Sequence, residues 1–317
     1  MKIRILCSAL LAGILVLGGL SCQKEETEKV IQFSDGSQYS GEVQNGIPHG
    51  HGTLIWWDKS WYEGDFQNGL RHGYGVYYDR FGRKYYEGQY YEDQIHGEGR
   101  LYWDTGFIDY DGPWDHGKRS GYGVSYYNSG VKQYEGYWVN DKKHGDGILY
   151  NSNGIKLYEG SFAEDRWPVE GTVYDVLGRK VFQGEFFDGK LHGQGIHYGD
   201  NEAKIYEGGF QYGVRHGQGT LYWEDGIAVA YEGEWKNGLR HGEGTVYWED
   251  GVTKSYQGEW KNGVRYGEGK LYWEDGVTVA YEGAWKDGLK HGFGKSYDEE
   301  GELVFEGTWV NDSPVMQ

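Results

Sequence analysis

A three-residue unit, an aromatic side chain followed by Glu, Asp or Gln and then Gly, returns along this chain at intervals of 23 to 25 residues. Starting from a weaker copy at Tyr39, its leading aromatics are Tyr62, Tyr86, Tyr110, Tyr134, Tyr158, Phe182, Tyr206, Tyr231, Tyr256, Tyr281 and Phe305. A period of that length means a repeat array, in which one copy cannot bury its apolar face alone and neighbours must stack. The 317 residues would otherwise suggest about two globular domains. Here they divide into about eleven full copies and a truncated twelfth.

The copy opening at Tyr231 shows the order within one unit. From Ile227 to Lys236 the residues alternate: Ile227, Val229, Tyr231, Gly233 and Trp235 on one side, Ala228, Ala230, Glu232, Glu234 and Lys236 on the other. Period two predicts a half-buried strand. Asn237-Gly238 follows at once, a pair suited to the positive backbone angles of a tight reversal, and Gly244 to Trp248 resumes an extended run. Each copy therefore reads as a β-hairpin. Gly233, Gly242 and Gly244 carry no Cβ, so a neighbouring Tyr or Trp ring can lie over bare backbone. The 56 glycines fall in phase with the period, which argues order rather than low complexity. A lone hairpin is marginal in water, so the fold class predicted is all-β: one elongated antiparallel sheet of stacked hairpins, on the order of 100 Å long.

The same residues carry a family resemblance. Tyr231-Glu232-Gly233, the turn Trp235-Lys236-Asn237-Gly238 and the segment His241-Gly242-Glu243-Gly244, in one order, resemble a MORN repeat. His-Gly-x-Gly recurs at His49, His72, His96, His144, His192, His216 and His291, and the resemblance spans roughly residues 39 to 312. It departs in three copies: the fourth displaces its histidine to His116, the sixth reads Trp167-Pro168-Val169-Glu170-Gly171, and the tenth has Tyr266. The resemblance also implies phospholipid binding, which the charge of the chain opposes.

Residues 1–21 have a different character. Met1-Lys2-Ile3-Arg4 is basic, Ile5 to Leu20 is apolar, and Ser21 precedes Cys22. This is a secretory signal pattern, expected as an N-terminal signal helix and too short for a resident span. Its end resembles a bacterial lipoprotein processing site, with Cys22 lipidated, although Gly19 stands where Leu is usual. The charged stretch after Cys22 reads as a flexible tether over residues 22–38, and the array as residues 39–317. Lys24-Glu25-Glu26 looks like a signal that routes lipoproteins to the outer membrane surface, so the location expected is a bacterial cell envelope. Of the two cysteines, Cys7 leaves with the leader and Cys22 takes lipid, so no disulfide is expected.

A formal charge of −18 disfavours nucleic acid and anionic headgroups, leaving the lipid anchor as the one expected membrane contact. Equivalent histidines of successive hairpins lie two strands apart, about 9–10 Å, too far to share a metal ion. His49 with His51 is then the close pair among them, and neither a metal nor a cofactor is expected. Asp250-Gly251 reads as a turn and the strand glutamates as a solvated face. No calcium loop, nucleophile elbow or phosphate-cradling loop occurs, so no catalytic residue is assigned and no enzyme is expected.

What remains is aromatic surface. Trp223, Trp248 and Trp273 occupy one equivalent position, with Tyr222, Tyr247 and Tyr272 before them on the opposite face. Rings there either hold neighbouring copies together or receive a partner, because large rings give contact area at low entropic cost. Two functions follow: a lipid-anchored scaffold binding a protein partner or a second copy of itself, and alternatively a glycan or cell-wall binding module.

Overall fold

The computed structural model describes residues 27–166 and 169–316, and every one of its 26 strands belongs to a single antiparallel sheet. Consecutive strands pair with each other, except where Lys118–Arg119 and Gly121–Tyr126 both pair with Ile108–Asp115, so the sheet is an open stack of hairpins. Among the described residues no helix is long and apolar enough to cross a membrane. The expected signal helix and Cys22 lie outside the described residues.

Each copy is closed by the turn its sequence predicts. Asn237 and Gly238 have φ of 52° and 81°, and Lys236 pairs directly with Leu239, the two-residue reversal whose twist matches that of the strands. The loop joining copies is held differently. Asp250 Oδ1 accepts from the backbone N–H groups of Val252 and Thr253 at 2.9 and 2.8 Å, fixing Asp250-Gly251 as a turn. Copies of 25 residues place their additional residue in this loop: Trp248 N–H reaches the Thr253 carbonyl, whereas Gly199 N–H reaches Ala203.

Glycine sets the register. Gly219, Gly233, Gly244, Gly258 and Gly269 face one another across successive strands. The ring of Tyr231 covers this column, for a Cβ built on Gly244 would fall 2.2 Å from the Tyr231 hydroxyl oxygen and 2.5 Å from Cε2. Gly242 serves another purpose than the expected ring platform. Its φ of 56° is a left-handed conformation at the irregularity in pairing, and its bare Cα faces the Glu234 carboxylate.

Tyr231 is wholly buried, and its hydroxyl donates to the Glu234 carbonyl at 3.1 Å, so the ring is packed without an unsatisfied polar atom. It meets Trp235 of its own copy edge-on at 5.2 Å and Trp260 of the next at 5.7 Å. Tyr256 then meets Trp260 and Trp285 at 5.2 and 5.5 Å, so the ring chain crosses each boundary between these copies. Such pairs contribute about 0.5–1.5 kcal/mol each beyond the area they bury. Arg240 lies over both Tyr231 and Trp260, at 4.8 and 4.9 Å, and Trp260 Nε1 donates to the Gly244 carbonyl at 3.3 Å. The core is thus a row of rings on one face of a sheet.

That row is interrupted once. One cluster runs from Tyr39 to Phe162, and the other includes Leu191, Tyr206 and Trp309. At the boundary Phe182, which lacks the tyrosine hydroxyl, is partly buried against the second cluster and stacks on His197 at 4.6 Å. Copy four is irregular because Pro113 occupies its first strand, Ile108–Asp115, and the return is divided into Lys118–Arg119 and Gly121–Tyr126.

Three local expectations are revised. Thr27–Gln32 is a strand paired with Gln38–Gln44, so much of the segment read as a flexible tether is sheet and pairing starts before position 39. The strand joins because its backbone pairs along its length, from Thr27 opposite Val43 to Gln32 opposite Gln38. Ile227 belongs to the loop, since the strand begins at Val229. Ala230, placed on the solvent side by alternation, is buried at the irregularity where Tyr222 faces Val229 and Leu221 faces Tyr231.

Candidate functional site

The inter-copy loops carry an exposed apolar row along one long edge of the sheet. Ile227, Val252 and Val277 occupy equivalent loop positions and are 81, 76 and 80 % exposed. Trp57 and Phe81 lie in the corresponding loops of the first two copies and are likewise exposed. The Asp cap of each loop takes backbone N–H groups, joined at Asp250 and Asp275 by a threonine hydroxyl, and leaves the aliphatic side chain facing outward. Singly, exposed apolar residues are ordinary; recurring at one loop position in three consecutive copies, these make the edge the candidate contact surface. Strand alternation drew Ile227 into the sheet and hid this row, while the recurrence of an aliphatic residue after each Glu-Asp-Gly was the signal that pointed to it.

The predicted tryptophans stand at the roots of the same loops, and they divide. Trp223 Nε1 donates to the Trp248 carbonyl at 3.0 Å, and Trp273 Nε1 to the Tyr297 carbonyl at 3.3 Å, each tying its loop to the next copy. Trp248 is 43 % exposed and offers its ring to solvent. The bonded pair holds the edge in line; Trp248 belongs to its outer surface.

Tyr222, Tyr247 and Tyr272 point elsewhere. Their hydroxyls donate to Glu207, Glu232 and Gln257 on the first strand of the same copy, at 3.2, 3.5 and 3.4 Å. Glu207 also accepts from Lys204 at 2.7 Å, a bond that holds its carboxyl below the usual range. Partial burial pushes the Tyr222 and Tyr247 phenols up. The Glu207 and Glu232 carboxylates are therefore occupied by bonds within their own hairpins. On this charged face a trough of about 660 Å³ lies over the glycine backbone of Gly258, Gly269, Gly283 and Gly294, bordered by Glu268, Lys270, Glu282, Phe293 and Lys295. Lys270 pairs with Glu282 at 3.1 Å across it.

The histidines do not all keep the spacing assumed from the strands. His96 and His116 have ring centroids 5.1 Å apart. In copy four the displaced histidine leads the hairpin turn, and that turn position abuts the histidine of the preceding copy. The strand spacing did not predict this pair, which the displaced position of His116 could have disclosed. Asp115 lies with them, 2.6 Å from His116 Nδ1 and 3.6 Å from His96 Nδ1.

The MORN repeat family model matches residues 39–58, 62–80, 86–107, 110–132, 134–156, 182–202, 206–227, 231–253, 256–278 and 281–302, more than half of the chain. It passes over the sixth copy, where the sequence departs from the pattern, and the truncated twelfth. No curated protein matches the chain significantly. MORN repeats are in general protein- or membrane-interaction repeats. On ten matched repeats, each coinciding with a hairpin of the sheet, the chain belongs to the MORN-repeat family.

Proposed function

We propose that the protein is a scaffold of the bacterial cell envelope, anchored by lipid on Cys22, that binds a protein partner or a second copy of itself along its loop edge. The observation that carries this reading is the row of Ile227, Val252 and Val277, with Trp248 beside it, exposed at one interval in consecutive copies. An apolar edge on an acidic chain suits a protein surface better than anionic lipid, because the formal charge of −18 repels such headgroups. The leader pattern supports the anchor, and the lipid chains would hold the membrane without help from the sheet.

A variant with Ile227→Ser, Val252→Ser and Val277→Ser tests the edge, since all three side chains are exposed and the core stays intact. Cross-linking in envelope extract and sedimentation velocity are compared with the unmodified chain. Loss of the captured partner, or of the dimer, is expected; identical profiles overturn the assignment. Retention on insoluble cell-wall polysaccharide that disappears with Trp248→Ala would favour the glycan alternative.

A further inference from the structure

We propose that His96, Asp115 and His116 form a binding site for one divalent transition-metal ion of the zinc class, joining the third copy of the array to the fourth. Their potential ligand atoms all lie within 4.8 Å of one another.

The fold builds this group from two elements. His96 sits on the strand Gln94–Tyr102 of copy three. Asp115 ends the strand Ile108–Asp115, and His116 leads the following turn with φ of 46°. Other copies put Asn45, Asn68, Asn237 or Asn262 in that left-handed position. The turn seats its leading residue against the preceding copy: Asn68 N–H approaches His49 Nδ1 at 3.5 Å, and His116 N–H approaches His96 Nδ1 at the same 3.5 Å. An ordinary copy thus brings an amide beside an imidazole. Copy four brings a second imidazole, with a carboxylate next to it in the chain.

The donor set chooses the ion. Two imidazole nitrogens and one carboxylate oxygen suit Zn²⁺ and its neighbours, whereas Ca²⁺ and Mg²⁺ require six or more oxygens. Bonds of about 2.0–2.2 Å in tetrahedral geometry place ligand atoms about 3.3–3.5 Å apart, which is within reach of a small rotation about exposed side-chain bonds. The side chains of His96, Asp115 and His116 are 41, 63 and 62 % exposed, so an ion enters without opening the sheet. Three protein ligands leave a fourth position for water or a group from a partner. The same seat at His192 holds Tyr212, with centroids 5.2 Å apart, and cannot complete a ligand set. Bound metal would pin the turn of copy four, whose return strand is divided, to the continuous strand Gln94–Tyr102 of copy three.

The test uses the full chain, freed of metal with a chelator and titrated with Zn²⁺ alone by isothermal calorimetry. His116→Asn is the informative variant, because Asn occupies that turn in other copies and leaves the hairpin intact by circular dichroism. The expected result is one Zn²⁺ whose binding His116→Asn and His96→Gln each weaken at least tenfold, while His49→Gln leaves it unchanged. With Co²⁺, the visible absorption of a low-coordinate His-ligated ion should appear in the unmodified chain and vanish in His116→Asn. Zn²⁺ binding that persists undiminished in His116→Asn, or an unmodified chain that binds none, overturns the site.

Discussion

Replacing Gly244 by Ala tests the ring-over-glycine packing where it is tightest. The new methyl would lie 2.2 to 2.5 Å from three atoms of Tyr231, closer than real contacts allow, so the ring must leave its seat. Overpacking of this kind costs about 1–3 kcal/mol. Displacement also strains the bond from Tyr231 to the Glu234 carbonyl, worth about 1 kcal/mol. The sum expected is about 3 kcal/mol. Gly238→Ala is the control: nothing lies within 4 Å of its Cβ, and the cost is confined to a φ of 81°, about 1–2 kcal/mol. Tyr231→Ala alone should cost about 3–5 kcal/mol, yet adding Gly244→Ala to it should cost almost nothing, because the methyl then finds open space. Repeat arrays open locally, so hydrogen exchange of the amides in Val229–Lys236 and Leu239–Tyr247 is the appropriate measure. Equal costs for Gly244→Ala and Gly238→Ala, or additive costs in the double variant, would refute the packing.

Further outcomes follow from the same face and from the leader. Burial pushes the phenols of Tyr39, Tyr206 and Tyr281 up to about 12. A raised phenol stabilises the fold fully below the unfolded value of about 10 and loses that contribution as pH rises toward 12. Urea midpoints should therefore fall between pH 10 and 12, and a flat profile there contradicts the buried-hydroxyl row. Arg240→Met should cost about 1–2 kcal/mol by removing a cation from Tyr231 and Trp260, with Arg240→Lys milder because Lys290 fills the equivalent place over Tyr281 and Trp309, as exchange rates would report. Cys22→Ala should move the protein from the membrane to the soluble fraction; a variant that stays bound removes the lipid anchor.

The columns of the sheet were legible because each depends on one residue in a fixed place. Tyr231 needs bare backbone beside it, Asn237-Gly238 needs left-handed conformations, and neither requirement refers to anything outside two neighbouring strands. The loop edge was harder to read. Period two continues through Ile227 in the sequence, but the Asp225 cap takes the N–H groups of Ile227 and Ala228 and delays the strand to Val229. Trp223 and Trp273 looked equivalent to Trp248, and only their indole bonds to the next loop separate them. The meeting of His96 and His116 depends on contact between a turn and the preceding copy, whose distance cannot be inferred from strand spacing. The start of the sheet at Thr27 was obscured by charge, which weighs little where backbone pairing at an edge is available.

The open stack has a mechanical consequence. Strands lie across the long axis, so tension between the two ends runs along the inter-strand hydrogen bonds and loads them pair by pair. Under such a pull the chain would pay out hairpin by hairpin, a stepwise spring that lengthens under load and rewinds when released.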